Sequence, residues 1–100
     1  MPPLPGGLVK IAVDVCMGAR GVRCLRAAGH EVLEAEHGER DRDWFARARA
    51  WGVELIVSPD SDLEILAYDN RVRFFRVRCA RKFRGRDIAE AVIAMLARSG

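Results

Sequence analysis

In the stretch Val53-Glu54-Leu55-Ile56-Val57-Ser58-Pro59-Asp60-Ser61-Asp62, an apolar run breaks abruptly into turn-forming residues and acids. Val53 to Val57 is short, apolar and partly β-branched, which predicts a buried strand. Ser58 to Asp62 supplies the chemistry of a turn and a helix start. A short helix follows through Tyr68, with Ser61 and Glu64 at capping-box spacing. A buried strand that turns at once into a helix is half of a βαβ unit, the building block of parallel sheets.

The same alternation extends outward in both directions. Upstream, Asp41 or Asp43 can cap a helix whose Trp44, Phe45, Ala48 and Trp51 share one face, and Gly52 ends it. His30 to Leu33 reads as a strand before that helix. Arg20 to Ala28 reads as an earlier helix, with a stripe of Val22, Leu25 and Ala28 and a stop at Gly29. Leu8 to Val13 is an apolar run broken only by Lys10, with Asp14 at its end, and predicts the first buried strand. Downstream, Val72 to Val77 mixes apolar and basic residues, with the alternation interrupted at Phe74-Phe75, as in a half-exposed edge strand. Ile88 to Ala97 is an amphipathic helix with Ile88, Val92 and Leu96 four apart, and Asp87 with Glu90 approximates a capping pattern. Met1 to Gly7, with three prolines and two glycines, reads as a flexible leader.

The predicted order is therefore βαβαβαβα: an α/β, three-layer domain over residues 8–100 with a small parallel sheet and helices on both faces. Right-handed crossovers favour the strand order 2-1-3-4. That order makes strands one and three neighbours, and their carboxyl ends flank the switch point where such sheets bind ligands.

Composition supports one domain. The chain has 100 residues, 50% of them hydrophobic and 31% charged, the balance of an ordinary globule. No apolar run approaches the roughly 18 to 20 residues of a membrane helix, and no basic stretch followed by a hydrophobic one opens the chain. The expectation is a cytoplasmic protein that does not associate with membranes. Cys16, Cys24 and Cys79 lack zinc-type spacing and read as reduced, buried small hydrophobes. His30 and His37 have no motif partner, and Gly18 and Gly21 complete no dinucleotide or phosphate-loop fingerprint.

The formal net charge of +3 conceals an asymmetry. Arg71, Arg73, Arg76, Arg78, Arg81, Lys82, Arg84 and Arg86 follow one another with no acid among them, a pattern that attracts polyanions or simply solvates a face. Glu31 to Glu64 is instead dominated by acids. Asp14 ends strand one, Asp60 follows strand three, Asp62 lies two residues on, and Asp41 and Asp43 open a helix at the same sheet edge. Adjacent strands lie about 4.8 Å apart, so these side chains should meet. Like charges in one crevice repel, and a divalent cation resolves the conflict; oxygen-only ligation suits Mg²⁺ or Mn²⁺. Taken singly, Asp41, Asp43 and Asp62 also make sense as helix-start residues and Asp60 as a turn residue, whereas nothing about a central strand end requires Asp14.

These residues resemble the short bacterial PIN-like nuclease domains, a resemblance that runs from about Val9 to Val77. It rests on Asp14, on Leu25-Arg26-Ala27-Ala28-Gly29-His30, and on Asp41 before the helix that contains Ala48 and stops at Gly52. Its most specific part is Glu54 to Val57 running into Ser58-Pro59-Asp60-Ser61-Asp62-Leu63, which looks like the family's Thr-x-Asp-x-Asp-Phe signature. The resemblance implies a PIN-like domain that cleaves RNA with Mg²⁺ or Mn²⁺, often as the toxin of a toxin-antitoxin pair. It implies that Asp14, Asp41, Asp60 and Asp62 are the metal-binding and catalytic acids, with Asp43 the alternative at the helix start. Arg71, Arg73, Arg76, Arg78, Arg81, Lys82 and Arg84 would hold RNA, an antitoxin would be a protein partner, and the apolar helix faces allow a homodimer. Val15 and Cys16 stand where the family commonly carries an acid and an amide, Ser58 stands for Thr, and Leu63 for Phe. Those departures favour the alternative of a catalytically silent PIN-like module that binds RNA or protein. A phosphoacceptor receiver domain shares the acid at the strand end, but the acidic pair it needs at the first strand is missing, and Lys82 is the only lysine after a later strand.

Overall fold

The computed structural model describes residues 8–14, 17–77 and 85–99. The predicted leader, Cys16, Cys79, Arg78, Arg81, Lys82 and Arg84 lie outside them. The elements are β1 (Lys10–Val13), α1 (Gly18–Ala27), β2 (Glu31–Glu34), α2 (Asp41–Trp51), β3 (Leu55–Ser58), α3 (Ser61–Asp69), β4 (Arg73–Arg76) and α4 (Gly85–Ser99). The strands form one parallel four-stranded sheet in the order β2-β1-β3-β4, as the alternation of elements predicts.

Side chains alternate across the sheet and feed two separate cores. Ile11, Val13, Leu55 and Val57 face α1 and α4, where they meet Val22, Leu25, Ile88, Val92 and Leu96. Ala12 and Ile56 face α2 and α3, where they meet Trp44, Phe45, Ala48, Leu63 and Ala67. The broken alternation at Phe74-Phe75 follows from this arrangement: Phe74 packs toward the second core and Phe75 toward the first, each half-buried. With helices over both sheet faces, an edge strand gains by being apolar on each.

Helix starts depart from expectation. Asp41 and Asp43 do not cap α2; its N-cap is Arg40, in extended conformation and with no side-chain cap, and the two acids lie in the first turn. There their charge faces the positive end of the helix dipole. In α3 the cap is Asp60 rather than Ser61: the Asp62 N–H donates to Asp60 Oδ1 at 2.8 Å, which makes Ser61 the first helical residue. Gly52, in the left-handed region at φ 92°, closes α2 as predicted. His30 is buried, its Nδ1 accepts the Val9 N–H at 3.1 Å, and burial lowers its pKa, so it is a structural neutral imidazole. Cys24 is a free, half-buried thiol.

Candidate active site at the carboxyl edge of the sheet

Every βα connection of a parallel sheet opens at the carboxyl ends of the strands. Asp14, one residue beyond β1, is held there by its N–H, which donates to the Val57 carbonyl at 3.0 Å. β1 and β3 are neighbours in register, Val13 beside Val57. Ser58, the last residue of β3, is fully buried and joins the two sides. Its hydroxyl donates to Asp14 Oδ2 at 2.9 Å and accepts the Asp60 N–H at 3.1 Å. The Asp62 N–H in turn donates to Asp60 Oδ1. One chain of hydrogen bonds thus runs from Asp14 through Ser58 and Asp60 to the first turn of α3.

Asp41 approaches from the other side, on the first turn of α2. The loop before it is clamped by Arg47, whose Nε and Nη2 donate to Glu39 Oε2 at 3.0 Å and Oε1 at 2.8 Å, while Nη2 also donates to the Glu34 carbonyl at 2.8 Å. Glu39 Oε1 also accepts the Glu36 N–H at 2.9 Å. The guanidinium contact holds Glu39 below the usual carboxylate range.

The Asp41 carboxyl lies against that of Asp60, and its pKa is raised to about 6. The Asp60 bond is the largest cause, followed by desolvation and by the negative charges of Asp60, Asp14 and Asp62. Asp60 moves the opposite way, lowered first by the bond from Asp41 and then by the Asp62 N–H. The four acids expected from the sequence therefore lie at one edge, where Asp41 feels the charges of Asp60, Asp14 and Asp62. Asp41 and Asp43 are both exposed, and Asp41 is the one that lies against Asp60.

Convergence stops short of a finished metal centre. Among the described residues, no group of three or more His, Cys, Asp or Glu side chains is drawn together so as to hold a metal ion. The fit is one of donor chemistry: hard carboxylate oxygens, crowded enough that one of them keeps a proton near pH 6. In this arrangement Asp14 and Asp60 spend oxygens on Ser58 and on the α3 backbone.

Of the basic residues, Arg71, Arg73 and Arg76 are exposed. Arg76, at the carboxyl end of β4, lies 3.9 Å from Glu64 in the first turn of α3. Arg71 precedes β4 and so sits at the opposite edge of the sheet, about 16 Å away at the usual rise of a strand. Among the described residues, no helix is long and apolar enough to cross a membrane. Ser58 entered the sequence reading only as the signature's first position, without a role at the site; its signal was a lone hydroxyl ending an apolar central strand. No family model, curated protein or solved structure matches the chain.

Proposed function

We propose that this chain is a PIN-like domain that hydrolyses RNA phosphodiester bonds with Mg²⁺ or Mn²⁺ held by Asp14, Asp41 and Asp60, with Asp62 beside them. The observation that carries the reading is the gathering of Asp14 after β1, Asp41 on α2, and Asp60 and Asp62 at the start of α3 at the switch point of a parallel sheet, where Asp41 feels the charges of the other three. A divalent cation there would supply an activated water and offset charge developing on the phosphate. The chain's own residues do the rest. Ser58 fixes the Asp14 carboxylate, Asp60 is oriented by the α3 backbone, and Asp41 gives up its proton above about pH 6 to complete the anionic set. Arg76, at the same edge, offers a cation to the RNA backbone.

The test is cleavage of a labelled single-stranded RNA with Mn²⁺ and with excess chelator. Asp14→Asn and Asp60→Asn conserve the local hydrogen-bond acceptors, and Asn is as good an N-cap as Asp, so both variants should fold. Each is expected to lose activity by at least about a hundredfold, a loss that removing a metal-orienting group alone can reach. Unchanged, chelator-resistant RNA degradation by both variants would refute the assignment. A second reading, a silent module that binds RNA without cleaving it, is favoured by the hydrogen bonds that already occupy Asp14 and Asp60. It predicts RNA binding that chelator leaves unchanged.

A further inference from the structure

The two outer strands of the sheet finish their free edges differently. On β2, the Glu31 and Ala35 N–H groups donate to Val9 and Val13 of the β1 side, so Val32 and Glu34 turn their backbone outward. Both outward carbonyls are covered: Arg26 Nη2 donates to Val32 O at 3.2 Å and Arg47 Nη2 to Glu34 O at 2.8 Å. On β4, the Val77 N–H donates to the Ser58 carbonyl at 3.0 Å, so odd-numbered residues pair inward and the N–H and C=O of Phe74 and Arg76 point outward. Among the described residues, no side chain bonds these groups. An uncovered edge is a template for another strand.

Beside this edge lies a groove of about 540 Å³ lined by Glu64, Ile65, Tyr68, Val72, Arg73 and Phe74. Tyr68 is 83% and Ile65 60% exposed, unusual for large apolar side chains in so small a domain. The turn beneath is fixed by Asn70 Nδ2 donating to Leu66 O at 2.8 Å and by Val72 N–H donating to Ala67 O at 2.8 Å. The groove is therefore formed before anything enters it.

We propose that the β4 edge and this groove bind an extended segment of a partner protein in which acidic residues alternate with apolar ones, added to the sheet as a further strand. The outward N–H and C=O groups match a peptide backbone, alternate apolar side chains match the groove on the Phe74 face, and Arg73, with its strand position on the other face beside Phe75, sets positive charge where the acidic residues would lie. A second copy of the chain fits poorly. Antiparallel pairing of two β4 strands would oppose arginines, and the acidic β2 edge has its carbonyls occupied. Nucleic acid is disfavoured because the outward C=O groups of Phe74 and Arg76 call for N–H donors at strand spacing, which a sugar-phosphate backbone does not carry. The proposal does not depend on the nuclease reading.

The experiment is a backbone-amide NMR titration of the whole chain with a capped peptide of about seven residues alternating Glu and Val, a length that spans an edge strand. A Lys-Val peptide, oligouridylate and sedimentation of the protein alone are the comparisons. Saturable shifts are expected at Phe74, Arg76 and Tyr68, with the Lys-Val peptide much weaker. Arg73→Glu should weaken binding about fivefold, the scale of an exposed ion pair. Arg76→Pro deletes an outward N–H without breaking the pairing to β3, and should weaken binding more than Arg76→Ala, which keeps that N–H. The proposal is overturned by an absence of saturable shifts at β4, or by equal binding of the Lys-Val peptide. It is also overturned by tighter oligouridylate binding at the same amides, or by self-association that perturbs them.

Discussion

Asp41 and Asp60 are the pair whose chemistry changes most with pH. Asp41 is raised to about 6, above its ordinary 3.8, by the bond to Asp60 and by its anionic neighbours. A raised carboxyl stabilises the fold fully below its unfolded value, and that contribution is lost as pH rises through about 6. Asp60 is lowered, so its contribution is present above its unfolded value and lost as pH falls through the lower, folded one. Both groups are near solvent, which keeps the effect on stability small; the titration itself is the sharper readout. Carbon-detected NMR of the Asp41 carboxyl should give a midpoint near 6, and Asp60→Asn should lower it towards the ordinary carboxylate range, leaving the smaller rise from desolvation, Asp14 and Asp62. A wild-type midpoint already in that range would show that the two acids do not share a proton. At this scale Asp14 and Asp60 were readable from sequence, because acids at the ends of adjacent parallel strands must share an edge. Choosing between Asp41 and Asp43 was not, since both suit the first turn of a helix and only the orientation of α2 brings Asp41 against Asp60. The connecting role of Ser58 was not legible because the Asp14 carboxylate it donates to lies 44 positions away in sequence; a hydroxyl ending an apolar strand was its only local sign.

Among the elements, the sheet's order and direction were legible because strands and helices alternate and crossovers have one hand. The boundaries were less so. Ser61 and Asp60 are both good caps, and only the backbone geometry assigns the role to Asp60. β2 looked unremarkable in sequence, yet its edge is managed by arginines from two helices. Removing both, as in Arg26→Ala with Arg47→Ala, should expose the Val32 and Glu34 carbonyls and promote concentration-dependent association, measurable by sedimentation velocity. A double variant as monodisperse as the wild type at high concentration would mean that these side chains do not protect the edge. The comparison also bears on β4, which lacks this protection among the described residues.

The molecule as a whole is held by the meeting of α1 and α4 over one face of the sheet. Gly21 makes this close approach possible: a Cβ there would sit 2.6 Å from the Gly85 carbonyl oxygen and collide with the Met17 side chain. Gly85 is similarly confined against the Met17 backbone. Gly21→Ala should therefore cost about 1–3 kcal/mol through overpacking, read as a lower midpoint in urea. An unchanged midpoint would mean that α4 shifts freely. Only the amphipathic pattern of α4 was visible in sequence; its docking onto α1 was not, because glycine signals many things besides a helix crossing.

The division into two cores sets an order for assembly during translation. The α2–α3 core draws on Ala12, Trp44, Phe45, Ala48, Ile56, Leu63 and Ala67, with Phe74 at its margin, so all of its parts are synthesised before α4. The opposite core needs Ile88, Ala89, Val92 and Leu96. A released chain that ended just after Val77 would carry one complete layer and one bare apolar sheet face, the state in which chaperones would find it and aggregation would begin.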